Sequence, residues 1–423
     1  MKTCSIFLCY LFALSSTLYA EADLRYIDYV YLDNIRSVQF HLEGLLTSEP
    51  IIDLESPGAL ELSFDDLDGD VKNFTYTLIQ CDADWKPTNL PEMEYLKGFS
   101  ENRIRDYQYS FNTLRNYTHY KLWLPNDELV WTKSGNYLLV VYEDQSERKL
   151  AVTRRLVVVE NMVAIQVDVV APAYVSKSRS HQEVDFWVQY EPKVLSIRLP
   201  QSEIKATVLQ NGRWDNAVTN VPPLFSGPNK LSFDYQNKFV FTGGKEFRAM
   251  DLRSLRYRTE SMEQILRTPE GHEVILLVDE KRGHQSHLSY NDLNGKFIIE
   301  NLEEDQHDVE SDYAETFISL DSPTEYHETD VYLFGGLTNW QLMPEYRMVY
   351  NPILHAYVLK VPLKQGFYNY YYAVVPKNAA AEFDETEGNS FETENDYTVL
   401  VYYRPFGTRY DRCIGAYTVS SRD

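Results

Sequence analysis

The 423-residue chain has 63 Asp and Glu against 40 Lys and Arg, a formal net charge of −23 at pH 7, with 44% hydrophobic residues and 33 tyrosines. So acidic a chain repels the phosphates of nucleic acid and offers no basic patch to anionic lipid, while its apolar content suffices for ordinary cores. Its length fits two or three domains.

The opening MKTCSIFLCYLFALSSTLYA sets one lysine before an apolar run and ends near small Ala20 and Ala22. The run is too short to cross a bilayer, so residues 1–20 read as a cleaved secretory signal. Cys9 does not read as a lipidation site, because bulky Ile6, Phe7 and Leu8 precede it. Beyond the signal only Cys81 and Cys413 remain, too few for a disulfide scaffold, and they are expected as free, buried thiols in separate domains. Residues 21–34, EADLRYIDYVYLDN, carry no motif and form an N-terminal segment of open role.

From 35 to 162 strands are predicted at Ser37 to Leu42, Ala59 to Phe64, Asn73 to Cys81, Thr118 to Leu124, Gly135 to Glu143 and Thr153 to Glu160, a spacing typical of a fibronectin- or immunoglobulin-like sandwich. In LSFDDLDGDVKNFTYTLIQCDADW, apolar residues alternate on both sides of an acidic turn, which reads as a hairpin. Asp66, Asp68 and Asp70 are spaced like the first ligands of a calcium loop, but the sixth and twelfth positions hold Val71 and Thr77 where Gly and Glu belong. YLLVVY (137–142) and RLVVVEN (155–161) are apolar on both faces, unlike membrane-barrel strands, which alternate. The tract from Pro87 to Asn112 is long for a loop and carries Tyr95, Phe99, Tyr107 and Phe111, rings that either contact a partner or fold back on the core.

A second β-rich unit is expected over 163–310, with strands near Ile165 to Val170, Val184 to Gln189, Ile204 to Gln210, Phe239 to Phe241, Glu273 to Asp279 and Lys296 to Asn301. It contains the turn QNGRWDN with Trp214, and the type I′ turn signal Asn294-Gly295. It closes with NLEEDQHDVESDY, a charged linker expected to be solvated. A third unit, 311–423, resembles early-set sandwiches in its strand and Gly-Gly-x-x-Asn-Trp loop. Its Trp340 either covers the sandwich end or stacks on a sugar. The expected fold is therefore all-β, a tandem of immunoglobulin/fibronectin-like and early-set-like β-sandwich domains.

The sequence offers no visible chemistry. It holds no His-Glu-x-x-His pair, no Gly-x-Ser-x-Gly elbow, no phosphate loop and no dinucleotide fingerprint. Cys81 sits beside Asp82 and Asp84, whose charge suppresses a thiolate, and those two acids read as a strand end rather than a glycosidase pair. His272, His284, His287 and His307 lack the cysteine or patterned carboxylate that would complete a metal site. No cofactor, metal or small-molecule substrate is expected.

The stretches LSFDDLDGDVKNFTYTLIQCDADW, EYLKGFSENRIRDYQYSFNTLRNYTHYKLWLPND, SGNYLLVVYE, QNGRWDNA and VLVYYRPFGTRYDRCIG together resemble the plug protein family of the type IX secretion system of Bacteroidetes. The resemblance implies a non-enzymatic periplasmic subunit, without membrane insertion, that closes the periplasmic mouth of the SprA-type outer-membrane translocon barrel. Tyr95, Phe99, Tyr107 and Trp214 are the candidate anchors on that partner, since loop aromatics give large contact area at modest entropic cost. The alternative is a secreted or periplasmic glycan-binding protein using Trp340. A hydrolase whose site is assembled across domains is a third reading.

Overall fold

Period-two alternation becomes strand along most of the chain, and the computed structural model arranges these strands in three sandwiches. It describes residues 23–144 and 148–422, so the expected signal and Cys9 lie outside the described residues.

In the first sandwich one sheet runs in the order Tyr29–Val30, Lys149–Val159, Gly135–Glu143, Phe74–Cys81 and Asn102–Arg103, with Ile51–Asp53 parallel to the end of Lys149–Val159. The facing sheet runs Ile35–Leu42, Leu60–Asp66, Thr118–Leu124, Asp106–Tyr109. The N-terminal segment thus adds an edge strand, with Tyr29 opposite Thr153. The two strands expected as a hairpin do not pair. Leu60–Asp66 lies between Ile35–Leu42 and Thr118–Leu124, whereas Phe74–Cys81 pairs with Gly135–Glu143 in the other sheet. The acidic turn is an arch between layers, and Phe64 meets Phe74 edge-on across the core, with centroids 5.1 Å apart. Alternation specifies a strand and its buried face, not its neighbour.

The second and third units interleave, which moves the boundary expected at 310/311. The second sandwich takes Val163–Val170, His181–Tyr190, Phe225–Ser226, Lys230–Ser232 and Val240–Thr242 in one sheet. Its other sheet pairs Ile204–Gln210 with Asp396–Tyr403, which in turn pairs with Arg412–Ser420. The third unit takes Arg248–Asp251, Met262–Thr268, Gly271–Leu276 and Phe297–Ile299 into a nine-stranded sheet with the strands from Tyr313–Asp321 to Gly366–Pro376. Ladders ignore sequence distance, so a reading that cuts the chain at linkers cannot see such exchange.

The units meet through buried faces. The central strand Gly135–Glu143 turns Tyr137, Leu139 and Val141 into the first core and Leu138, Val140 and Tyr142 toward the second unit, where they pack with Leu209, Leu400, Tyr402 and Cys413. This second contact is why YLLVVY is apolar on both faces. Cys81 belongs to the same apolar layer, so the two cysteines, free, buried and in separate units, line one interface.

Between the first and third units the contact is polar. The Asp65 carboxylate, fully buried, accepts hydrogen bonds from Lys364 Nζ and Tyr313 Oη at 2.7 Å each and stands 2.6 Å from His119 Nδ1. Lys364 Nζ also donates to the Asp308 carbonyl at 2.6 Å and lies 4.2 Å from the centre of the Tyr117 ring. The segment expected as a solvated linker forms this surface. Asp308 and Ser311 carbonyls accept from Tyr117 Oη at 3.0 and 2.8 Å, and the Asp312 carboxylate accepts the Leu114 and Arg115 amides. Asp308 and Asp312 are thus engaged across an interface rather than dissolved in water, while Asp305 stays exposed.

Burial alone would raise the Asp65 carboxyl, but Lys364 and His119 more than reverse this and hold it below its ordinary value. A depressed carboxyl contributes stability that is complete above its unfolded value, about 3.9, and is lost as pH falls through the folded one. The first–third interface is therefore expected to loosen only below about pH 4. Asp65→Asn strands the buried ammonium of Lys364 and should cost about 3–5 kcal/mol in urea unfolding, while Asp65→Leu with Lys364→Met should cost much less. Equal losses in both variants would show that the charge pair is not what holds this face.

Candidate partner-binding surface

The aromatic tract from Pro87 to Asn112 divides between core and surface. A two-stranded ladder of Leu96–Gly98 with Leu129–Trp131 follows the short helix Glu92–Tyr95 and turns its last residue inward. Tyr95 is 4% exposed, with its ring 6.0 Å from that of Tyr137. It is core, not an anchor. Trp214, the other candidate away from the surface, is half-buried edge-on against Trp85 at 4.9 Å, and the Arg155 guanidinium lies 4.4 Å from the Trp85 ring centre and 5.2 Å from that of Trp214. Its work is to join the second unit to the first. The same turn brings Gly212, at φ +70°, so close to Glu49 that a Cβ would lie 1.9 Å from its carboxylate.

Phe99 and Tyr107 stay outside, 74% and 44% exposed. Tyr107 lies on Asp106–Tyr109, the outer strand of its sheet, paired only with Thr118–Leu124 among the described residues. Tyr109, two residues on and therefore on the same face, packs edge-on to it at 6.2 Å, and Phe111 is exposed just beyond. Phe99 borders a hollow of about 350 Å³ with Arg103 and with Arg105, which pairs with Glu128 at 2.7 Å. An open strand edge flanked by rings can take a partner's backbone and apolar side chains together. Sequence reasoning passed over Tyr109, although its spacing from Tyr107 announced a shared face.

It also missed Phe406, which is 97% exposed on a firmly held turn. The Arg404 amide donates to the Glu203 carbonyl at 2.8 Å, the Thr408 hydroxyl donates to the Pro405 carbonyl at 2.8 Å, and Arg409 grips both oxygens of Glu94 at 2.7 and 2.8 Å. A Pro-Phe-Gly sequence in a hairpin turn was the available signal.

Trp340 lies between the second and third units. Arg213 stands over its ring at 4.7 Å, and Phe247 and Phe334 meet it edge-on at 5.9 and 5.7 Å. Gly295 of the predicted turn, at φ +81°, fits beneath the indole where a Cβ would come within 2.2 Å. Trp340 also borders a cleft of about 590 Å³. With one face occupied by a guanidinium, its geometry is that of packing.

Most of the polar groups singled out in the sequence have local partners. Asp66, Asp68 and Asp70 bring their oxygens within 4.8 Å of one another, but Lys72 stands among them, 2.9 Å from Asp66, 3.9 Å from Asp70 and in contact with Asp68. Burial would lower this ammonium, yet the hydrogen bonds to Asp68 and Asp66 raise it above its ordinary value, so the turn carries its own cation. Of the histidines, His272 faces Asp312 at 3.6 Å, His287 faces Glu246 at 3.7 Å and His307 accepts the Asn301 amide at 3.1 Å. They serve separate partners. Asp82 Oδ1 accepts the Asp84 and Lys86 amides at 2.9 Å each, closing the strand end as its sequence suggested. Burial, with Asp82 adding to it, pushes the Cys81 thiol up to about 12, and burial does the same to Cys413. Neither is a thiolate at neutral pH.

Residues 35–160, the first sandwich described above, match the sequence model of the family described as type 9 secretion system plug protein, 1st domain. The chain belongs to the type IX secretion system plug family. Membership associates it with the type IX secretion machinery. Similarity to a solved structure extends well beyond the first domain: a hypothetical protein from Parabacteroides merdae ATCC 43184, known from its crystal structure, is similar at 34% identity and TM-score 0.89 over 94% of this chain and 100% of its own. A collagen adhesin from S. aureus aligns at 8% identity and TM-score 0.12, which carries no argument. No curated protein matches. Among the described residues of this plug-family chain, no helix is long and apolar enough to cross a membrane.

Inward and outward rings should separate in stability measurements. Tyr95→Ala is expected to cost about 3 kcal/mol by urea unfolding, from the lost ring and the cavity it leaves. Phe99→Ala should stay within about 0.5 kcal/mol of the parent. A large loss for Phe99→Ala would mean that its ring packs in solution and is not free for a partner.

Proposed function

We propose that this plug-family chain is a non-enzymatic periplasmic subunit that occludes the periplasmic mouth of the SprA-type translocon barrel. The match of the first sandwich to the plug domain carries this reading. Three features of the molecule support it. The sandwiches are joined by one apolar and one buried charged interface, which suits a body that must obstruct a wide aqueous pore without deforming. Exposed rings at Phe99, Tyr107, Tyr109, Phe111 and Phe406 provide anchors without an extended apolar face, as reversible docking requires. The excess of acidic groups keeps the released form in solution. The glycan-binding alternative is not advanced, because Arg213 covers a face of Trp340 that a sugar would need.

The deciding measurement is recovery of partners with tagged protein expressed at its native level and gently solubilised from its own bacterium. A very large outer-membrane barrel should co-purify. Changing Phe99, Tyr107 and Phe111 together to Ser should reduce that recovery by about tenfold or more while leaving the fold intact. Absence of any barrel, with the protein retained instead on glycan resin, would replace the plug reading by the binding-module one.

A further inference from the structure

The strand Lys149–Val159 carries a guanidinium that the protein buries and leaves under-paired. Arg154 is 5% exposed, yet the hydrogen bonds it makes come only from Nη1, to the carbonyls of Thr153 at 2.9 Å and Tyr29 at 3.5 Å. Among the described residues no carboxylate comes within ion-pair distance of it. Its Nε and Nη2 have no protein partner there, and neither is sealed from solvent. Neighbouring Arg155 differs, since its Nε and Nη2 both donate to the Tyr26 carbonyl, at 2.9 and 2.6 Å. A buried charge is normally paired and hydrogen-bonded, because desolvation costs too much otherwise.

The obvious counter-ion does not serve. Asp28 is the nearest acid in effect, but its Oδ1 is taken by the Arg155 amide at 2.6 Å, and burial pushes its carboxyl above the ordinary range despite both arginines. Burial likewise draws the Arg154 guanidinium down to about 10, with Asp28 only partly opposing it. It remains charged at neutral pH.

Arg154 lines a pocket of about 140 Å³ where the three sandwiches meet. Asn211 and Gly212 reach it from the second unit, and Lys296 and Asn339 from the third. Glu49, the other acid on its wall, is engaged with Lys296 at 2.6 Å. Arg154, Arg155 and Lys296 stand against Asp28 and Glu49, which leaves one positive charge in excess, and of the three cations Arg154 keeps the most donors unfilled. The volume falls below the roughly 300 Å³ at which pockets for drug-sized molecules begin, and suits one small group.

We propose that this pocket is an oxyanion site, in which the unpaired donors of Arg154 receive a carboxylate, phosphate or sulfate group. A guanidinium fork matches such planar or tetrahedral acceptors. The group comes either from a free inorganic anion or from an acidic side chain or terminus of a docked protein. In either case it adds a contact at the junction of all three units, so occupancy stabilises their mutual arrangement by mass action. The site stands independently of the plug reading, since it requires nothing of the translocon.

The test is thermal unfolding of the purified chain at constant ionic strength, replacing chloride by inorganic phosphate, sulfate or acetate. The parent should show a saturable rise in Tm that is absent in Arg154→Gln and preserved in the exposed-residue control Arg404→Gln. Saturation by phosphate or sulfate identifies a free inorganic anion as the source, and saturation by acetate identifies a carboxylate. If Arg154→Gln fails to fold, Arg154→Lys keeps the charge without the fork and should weaken the response severalfold. Anomalous scattering from crystals of the parent soaked in selenate provides a readout that needs no variant. No saturable response to any of the three anions, an undiminished response in the Arg154 variants, or, where phosphate or sulfate saturates, no selenate peak at Arg154 would overturn the proposal.

Discussion

A lysine and an aspartate buried 2.7 Å apart hold the first and third sandwiches together, and much else in the architecture depends on that pairing. Neither charge could be left alone in so dry a place, because each would forfeit its hydration without return. The pair therefore imposes a geometry. Lys364 must meet Asp65, Tyr313 must reach the same carboxylate, and Tyr117 must close over the ammonium while binding the carbonyls of Asp308 and Ser311. Apolar layers tolerate small slides, whereas a network with this many directed bonds does not.

The other joins use different physics to the same end. An apolar layer from Leu138 to Cys413 welds the first unit to the second. A single turn, QNGRWDNA, touches everything: Trp214 enters the first unit beside Arg155, Arg213 lies over Trp340 and Phe334 of the third, and Gly212 lets Glu49 approach. Because the second and third units also exchange strands, neither is complete in an uninterrupted stretch of chain. The exposed rings of this interlocked body sit on loops and an outer strand, where binding need not disturb the joins.

Much of the fold was legible in the residues. Period two announced the strands, and apolar runs on both faces at 137–142 announced a strand covered on both sides, although what covered it was not readable. The arch at Asp65–Asp70 was misread as a hairpin because turn chemistry is the same whether the chain returns in its own sheet or crosses to the facing one. The charged run at 301–313 was misread as solvated because Tyr117, which bonds it, lies 191 residues before Asp308 in sequence and Lys364 lies 56 residues after it. For the contact surface, aromatic content marked the tract from Pro87 to Asn112, but the ladder between Leu96–Gly98 and Leu129–Trp131 decided that Tyr95 faces inward and Phe99 outward.

The sequence by itself determined the all-β class, the positions of most strands, the absence of familiar catalytic motifs and, through its ordered motifs, the family. These are local properties, written in alternation, spacing and residue type. Only the tertiary structure decided which strands pair, that residues 396–420 complete the second sandwich, that Lys72 is the cation of the acidic turn, and that Arg154 is buried with no carboxylate at ion-pair distance among the described residues. Those facts depend on what lies opposite a residue across a sheet, a core or an interface, and neighbours in space are not encoded by neighbours in sequence.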